Sequence, residues 1–212
     1  TGIIAEFKRR SPSKGWLYQQ ASPDKVCPAY ERAGAAALSI LTDEHFFGGS
    51  LRDLRTARSV VNIPILRKDF IIDEYQLLQA RVVGADAVLL IAACLTPDMC
   101  AMLTTQAHRL GLEVLLEIHS VNELAYIHND IDMVGVNNRN LGSFVTDVAN
   151  SFSLGGWLQT SGCDCFVSES GISQPDTICR LRDAGYRGFL IGETFMKTGE
   201  PAETLRGLLA SL

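Results

Sequence analysis

Residues 84–111 read GADAVLLIAACLTPDMCAMLTTQAHRLG, and this stretch contains one complete strand-and-helix unit. The continuous apolar run Ala85–Ile91 is typical of a parallel strand covered on both faces. The Thr-Pro-Asp sequence at 96–98 then provides a cap residue and a proline for the first turn of a helix. Gly111 falls where that helix must end before the next strand begins. The stretch therefore predicts a strand followed by a helix.

The same pattern recurs along the whole chain. Eight strand-and-helix units in a chain of 212 residues predict a (β/α)8 TIM barrel, one domain covering residues 1–212. A doubly wound open sheet normally has five or six strands, and the GxGxxG motif of its dinucleotide-binding form is absent from the sequence. The predicted strands are Ile3–Lys8, Ala36–Leu41, Pro64–Lys68, Ala85–Ile91, Glu113–Ile118, Met133–Asn137, Cys165–Glu169 and Gly188–Gly192.

Composition narrows the class of protein. The chain is 47% hydrophobic and 20% charged, which permits a large core and argues against disorder or a small disulfide scaffold. Apolar runs are too short for a membrane span, and a net charge of −5 argues against nucleic-acid binding. The six cysteines and four histidines lack metal-ligand spacing. We expect free thiols in a reducing cytoplasm, and no metal, nucleic-acid or membrane partner.

Polar residues stand where several predicted strands end, and active sites of this fold lie at those ends. Glu6 and Lys8 are two apart on the first strand, so both side chains point toward the barrel axis. A charged side chain in an apolar strand is costly unless it is paired or functional. One such residue is equally explained by a buried ion pair, but several together predict an acid/base site for an anionic substrate. The others are Lys68, Glu117, Asn137, Glu169 and Ser170.

A phosphate site is predicted from two glycine turns. Residues 170–173 (Ser-Gly-Ile-Ser) follow the seventh strand, and residues 192–194 (Gly-Glu-Thr) follow the eighth and precede a helical segment. Gly171 and Gly192 would let backbone N–H groups approach an anion, and a helix start would add partial positive charge. We expect Glu193 to offer its N–H while its carboxylate points away. The alternative is that these glycines only serve tight turns.

The segment at residues 9–15 is basic, polar and ends in glycine, as in a mobile loop above the site. Arg10 and Ser11 lie close to the strand end, within reach of a phosphate as hydrogen-bond donors. For Arg9 and Lys14 a plain solvated loop is the simpler interpretation.

Seven strings of residues, in order along the chain, closely resemble the indole-3-glycerol phosphate synthase family. The pair EFKRRSPSKG and RKDF is especially specific, whereas other phosphate-binding barrels share only the glycine turns. The similarity extends over essentially the whole chain. The strings are IIAEFKRRSPSKG, LSILTDEHFFGGS, ILRKDFIID, EVLLEIH, GVNNRNL, VSESGIS and LIGETFM.

The resemblance implies a reaction and a division of roles. The substrate would be 1-(2-carboxyphenylamino)-1-deoxyribulose 5-phosphate, converted without metal or organic cofactor to indole-3-glycerol phosphate, carbon dioxide and water. Lys68 would be the general acid of ring closure. Lys8 would pair with the anthranilate carboxylate and serve in the dehydration. Glu117 would stabilise charge on the anilino nitrogen or transfer a proton, and Glu6 would orient the lysines.

The remaining site residues follow from the same resemblance. Asn137, Glu169 and Ser170 would complete the polar floor of the site. An aromatic wall for the anthranilate ring would come from Phe46, Phe47 and Phe70. The groups expected to bind phosphate are Ser11, the N–H groups near Gly171, those of Gly192 and Glu193, and the side chains of Arg10 and Arg139.

Three points stay open at this stage. Members of the family usually carry an N-terminal segment before the first strand, and we expect the barrel to lack this cover. One alternative is another enzyme, a phosphoribosylanthranilate isomerase-like barrel, which would need a Cys and Asp pair. The other is a non-catalytic barrel that binds a phosphate ligand. The sequence does not decide between a monomer and one part of a larger tryptophan-pathway polypeptide.

Overall fold

The structure is a computed structural model that describes residues 1–140, 142 and 145–212. Eight parallel strands form a closed barrel in which neighbours in sequence are paired and the last strand pairs with the first. This confirms the predicted (β/α)8 barrel. The strands are β1 (Ile3–Phe7), β2 (Ala37–Leu41), β3 (Ile65–Lys68), β4 (Ala87–Ile91), β5 (Glu113–Ile118), β6 (Met133–Asn137), β7 (Phe166–Glu169) and β8 (Gly188–Ile191).

Helices surround the barrel and follow most of the strands. The start predicted at residues 96–98 is confirmed, since Oγ1 of Thr96 accepts a hydrogen bond from the N–H of Met99. After β5 the chain forms the 3-10 helix Val121–Tyr126 instead of an α-helix. The α-helices are α1 (Pro23–Ala33), α2 (Glu44–Phe47), α3 (Leu51–Arg58), α4 (Glu74–Val83), α5 (Pro97–Arg109), α6 (Ala149–Leu158), α7 (Pro175–Asp183), α8 (Glu193–Met196) and α9 (Pro201–Ala210).

The loop after β1 is ordered by a small antiparallel ladder. Arg10–Ser11 pairs with Gly15–Trp16, so the segment that the sequence suggested to be a mobile loop contains a short hairpin. No helix among the described residues is both long and apolar enough to cross a membrane.

Two layers of side chains fill the barrel interior. Because strand side chains alternate between faces, residues two apart on one strand point to the same side. Leu66 and Lys68 on β3 are such a pair, as are Leu115 and Glu117 on β5. We call the first set the apolar layer: Leu66, Ala87, Leu89, Ile91, Leu115, Val167 and Leu190. The charged layer consists of Glu6, Lys8, Lys68, Glu117 and Glu169, and on β3, β5 and β7 its member comes two residues after a member of the apolar layer.

Candidate active site

A cavity of about 710 Å³ opens at the carboxyl ends of the barrel strands. Most of the predicted site residues lie on its wall. Two do not: Glu169 is buried behind Lys68, and Arg10 lies outside the cavity. The predicted residues on the wall are Glu6, Lys8, Ser11, Phe47, Lys68, Phe70, Glu117, Asn137, Arg139, Ser170, Gly171, Gly192 and Glu193.

The charged layer is centred on Lys68. Its Nζ lies 2.5 Å from Oε2 of Glu169, 3.7 Å from Oε2 of Glu117 and 3.8 Å from Oε2 of Glu6. Nζ of Lys8 lies 2.6 Å from Oε1 of Glu6. Lys68 and the three glutamates come from β1, β3, β5 and β7, and alternate strands of this fold contribute one layer of side chains. The fold therefore brings together groups that are distant in sequence.

Burial and pairing shift the protonation of this layer. Burial raises the pKa of Glu6, but Lys8 and Lys68 outweigh it, and the net pKa is lowered. Burial also disfavours the charged form of Lys68, yet Glu169, Glu6 and Glu117 together raise its pKa above the ordinary value. From the sequence alone, the direction of the pKa shift of Lys68 was open. Lys68 is therefore an ammonium group with a proton to donate.

Glu169 has a different environment from the other two carboxylates. It is fully buried, and burial raises its pKa to about 7 although Lys68 acts in the opposite direction. Its Oε1 has no hydrogen-bond partner among the described residues. Glu169 thus contacts Lys68 from behind and is suited to place that ammonium.

The turn after β7 has the backbone geometry of an anion site. Ser170 and Gly171 have φ values of 69° and 76°, in the left-handed region that favours glycine. Nδ2 of Asn138 donates to the carbonyl oxygen of Ser170 at 3.0 Å and fixes the turn. Oγ1 of Thr194 donates to the carbonyl oxygen of Ile172 at 2.9 Å and joins this turn to the one after β8. Consecutive backbone N–H groups in such turns form anion-binding concavities.

The helix expected to support the phosphate site is short. α8 begins at Glu193 but has only four residues, so it carries little of the dipole that a full helix would provide. The carboxylate of Glu193 does not point away either, since its Oε2 lies 3.2 Å from Nη2 of Arg139. Nη1 of Arg139 donates to Oγ of Ser13 at 2.5 Å. Arg139 therefore links the β1 loop to the β8 turn across the cavity.

The two arginines after β1 differ from expectation. Arg10 stacks on the ring of Trp16 at 5.8 Å and donates to the carbonyl oxygen of His45, so it does not reach the cavity. Arg9 is not a solvated loop residue, because it forms two hydrogen bonds with the carboxylate of Asp53, at 2.7 and 2.8 Å. No local pattern around Arg9 indicates a partner 44 positions away.

The aromatic wall is held by a buried arginine that the sequence reasoning missed. The ring of Phe70 lies 5.9 Å from Phe46 and 6.3 Å from Phe47. The buried Arg67 donates to Oδ2 of Asp69 at 2.9 Å, and Oδ1 of Asp69 accepts the N–H of Phe70 at 2.8 Å. The only available signal was an arginine inside an apolar strand, directly before Lys68.

His119 is a second residue that pattern reasoning did not connect with the site. Its Nε2 lies 3.4 Å from Oε1 of Glu117 without forming a hydrogen bond. Burial lowers the pKa of His119, so the ring is uncharged at neutral pH and packs against Glu117. Among the described residues, no three His, Cys, Asp or Glu side chains are arranged to hold a metal ion.

Comparisons with known proteins identify the family. The model of the family Indole-3-glycerol phosphate synthase matches residues 1–208. An indole-3-glycerol phosphate synthase of Bacteroides thetaiotaomicron is 66% identical over 212 residues, covering 100% of this chain and 81% of the relative. Proteins of the same name from Carboxydothermus hydrogenoformans and Rhodopirellula baltica are each 44% identical over 210 residues, covering 99% of this chain and 79% and 80% of the relatives. By fold, by site and by these matches, the chain belongs to the indole-3-glycerol phosphate synthase family.

Proposed function

We propose that Lys68 is the general acid of the ring closure that defines this family. This chain is a carboxy-lyase that forms indole-3-glycerol phosphate in tryptophan biosynthesis, which is the activity of its family. Its substrate is a phosphorylated small molecule, which we take to be 1-(2-carboxyphenylamino)-1-deoxyribulose 5-phosphate. The observation that carries the proposal is the ammonium of Lys68, which lies on the cavity wall among three carboxylates.

Ring closure requires a proton at the carbonyl oxygen of the substrate while the new carbon–carbon bond forms. A positioned acid can donate it in the transition state, and an ammonium also stabilises the developing negative charge. The carboxylates raise the pKa of Lys68 and keep it protonated before substrate arrives. A substrate with its own carboxylate and phosphate would preserve that state. Carbon dioxide and water then leave, and the indole ring becomes aromatic.

The other members of the charged layer supply the remaining steps. Lys8 would hold the substrate carboxylate as a charge-assisted donor and serve in dehydration. Glu117, on the opposite side of Lys68 from Glu6, would stabilise positive charge on the anilino nitrogen or move a proton. Glu6 orients both lysines from its place between them. Asn137 on the cavity wall would complete the polar floor.

Substrate binding divides between the two sides of the cavity. Phe47 and Phe70 would pack against the anthranilate ring, because offset contacts between aromatic rings are favourable. The phosphate would lie against the turn at 170–171, with donors from the turn after β8, from Ser11 and from Arg139. We also propose a cytoplasmic location, since the cysteines Cys27, Cys94, Cys100, Cys163, Cys165 and Cys179 are all free thiols, as expected in a reducing compartment.

Fluorescence detection of indole-3-glycerol phosphate, formed from the synthetic substrate, tests the proposal. We expect steady turnover by the wild-type chain and none above background in Lys68→Ala. Binding of substrate without turnover in the wild type would instead favour a phosphate-binding barrel. Conversion of phosphoribosylanthranilate without indole formation would favour the isomerase. Either result would overturn the proposed role of Lys68.

A further inference from the structure

Two of the three buried carboxylates of the charged layer rest against glycines. A Cβ atom built on Gly135 would lie 2.2 Å from Oε1 of Glu169, and one built on Gly192 would lie 2.3 Å from Oε1 of Glu6. Neither glycine has a positive φ, so the backbone conformation does not require glycine at either position. The close approach of a carboxylate is what excludes a side chain there.

Gly135 lies in the middle of β6, two residues before Asn137, and it faces the barrel interior in the same way. Glu169 reaches across to Lys68 through Oε2, at 2.5 Å. Its other oxygen, Oε1, has no hydrogen-bond partner among the described residues. The carboxylate is therefore placed by one bond to Lys68 and by its fit against the surface of Gly135.

We propose that Gly135 is a positioning residue: the space left by its missing side chain lets Glu169 reach Lys68 and hold that ammonium at the cavity wall. The proposal rests on the role proposed above for Lys68. A methyl group at 135 displaces the end of a flexible side chain and leaves the strand in place. After the Glu169 carboxyl, the nearest atom to the new methyl is Cδ1 of Leu115, at 3.3 Å.

The test compares Gly135→Ala with a matched variant, Gly188→Ala. Gly188 is also a strand glycine, and its added Cβ would meet Cγ2 of Val167 at 2.8 Å, in the apolar layer and away from the lysines. We expect Gly188→Ala to lower Tm and leave kcat within about twofold. Gly135→Ala should lower kcat about 10²-fold, the cost of a misplacement of about 1 Å, with KM little changed. Equal kcat values for the two variants would overturn the proposal.

A double-mutant cycle separates positioning from general damage. If Gly135 acts through Glu169, Gly135→Ala should change kcat less than about twofold in a Glu169→Gln background. Full additivity would contradict the proposal. Should Gly135→Ala fail to fold, Leu115→Val in the same chain removes the contact with Cδ1 of Leu115 and keeps the one with Glu169.

A readout independent of turnover distinguishes this idea from the proposed function. Carbon-13 NMR follows the titration of the Glu169 carboxyl, whose pKa is raised by burial. We expect the midpoint to move in Gly135→Ala and to stay in Gly188→Ala. An inactive wild type with this shift would reject the proposed function and retain the positioning role. An unchanged midpoint in an active protein would reject the positioning role alone.

Discussion

The two layers inside the barrel come from the same strands and differ in what they contribute. Leu66 and Lys68 are two residues apart on β3, and Val167 and Glu169 are two apart on β7. Removal of the apolar layer from water stabilises the fold by about 25 cal/mol for each Å² buried. Burial of the charged layer removes every ion from water, which costs free energy. Attraction between the ions offsets that cost only where they are closely paired.

This difference separates stability from chemistry along the strand direction. On β3, β5 and β7 the apolar side chain two residues before each charged one packs inside the barrel. The charged layer is retained at an electrostatic cost, which shows in the pKa of Glu169, raised by burial to about 7. Substitutions two residues apart on one strand should therefore have opposite consequences. The predictions below test that separation.

Lys68→Ala should have the largest effect on activity. Loss of a general acid commonly lowers the rate about 10²–10⁴-fold, and among the described residues no other cation contacts all three carboxylates around Lys68. We expect substrate affinity to stay within about tenfold, because the phosphate turn is untouched. Single-turnover kinetics with a substrate titration would measure both. Turnover near the wild-type rate would remove Lys68 from the mechanism.

Leu66→Ala, two residues earlier, should reverse the pattern. Truncation of a buried leucine leaves a cavity and lowers the free energy of unfolding by about 2–5 kcal/mol. Leu66 is not on the cavity wall, so kcat below Tm should stay within about threefold of wild type, as expected for a site outside the chemistry. Urea unfolding and steady-state kinetics on the same preparation would measure both. A loss of kcat as large as that of Lys68→Ala would show that the layers are not separable.

Features of the fold and the site that depend on residues close together in sequence could be predicted, whereas contacts between distant residues could not. The strands and Lys68 followed from apolar runs and polar strand ends, since these signals are local. The contact of Arg9 with Asp53 spans 44 positions, so the sequence suggested a solvated loop. Gly135 was not recognised as a site residue, because the need for glycine arises from a carboxylate on the next strand.

Helix α6 shows tertiary contacts overriding local preference. Its sequence contains adjacent glycines at 155 and 156, which disfavour a helix. The helix nevertheless forms over Ala149–Leu158. Ser151 donates from its N–H and its hydroxyl to Oδ1 of Asn138, at 3.0 and 2.8 Å, and this buried network ties the helix to β6. Propensity alone could not have predicted those partners.

A comparison of Gly171→Ala with Arg9→Ala tests which residue at the rim of the charged layer belongs to the phosphate-binding surface. A Cβ at Gly171 would lie 2.7 Å from Cγ2 of Thr146, and φ is 76°, so the turn must shift and its N–H groups lose their alignment. We expect KM to rise about tenfold, equivalent to about 1.4 kcal/mol of binding. Arg9→Ala should instead lower Tm through loss of its bonds to Asp53, with KM unchanged. A larger rise in KM for Arg9→Ala would locate the phosphate anchor in the loop.

A pH dependence of stability follows from the carboxyls of the charged layer. The pKa of Glu169 is raised from 4.5 to about 7, so between these values the folded state binds more protons than the unfolded state. Glu169 therefore lowers stability as pH rises through that window. The pKa of Glu6 is lowered instead, so its contribution is present above 4.5 and is lost on acidification.

Glu169→Gln and Glu6→Gln should consequently give unfolding curves of opposite trend. Relative to wild type, Glu169→Gln should gain free energy of unfolding as pH rises from 4.5 to 7, because the wild type alone must ionise a buried carboxyl. Glu6→Gln should be less stable than wild type at neutral pH, and the gap should close on acidification. Urea unfolding at several pH values would measure both differences. A constant difference for Glu169→Gln would mean that its carboxyl ionises normally, and that the charged layer does not impose this electrostatic cost on the fold.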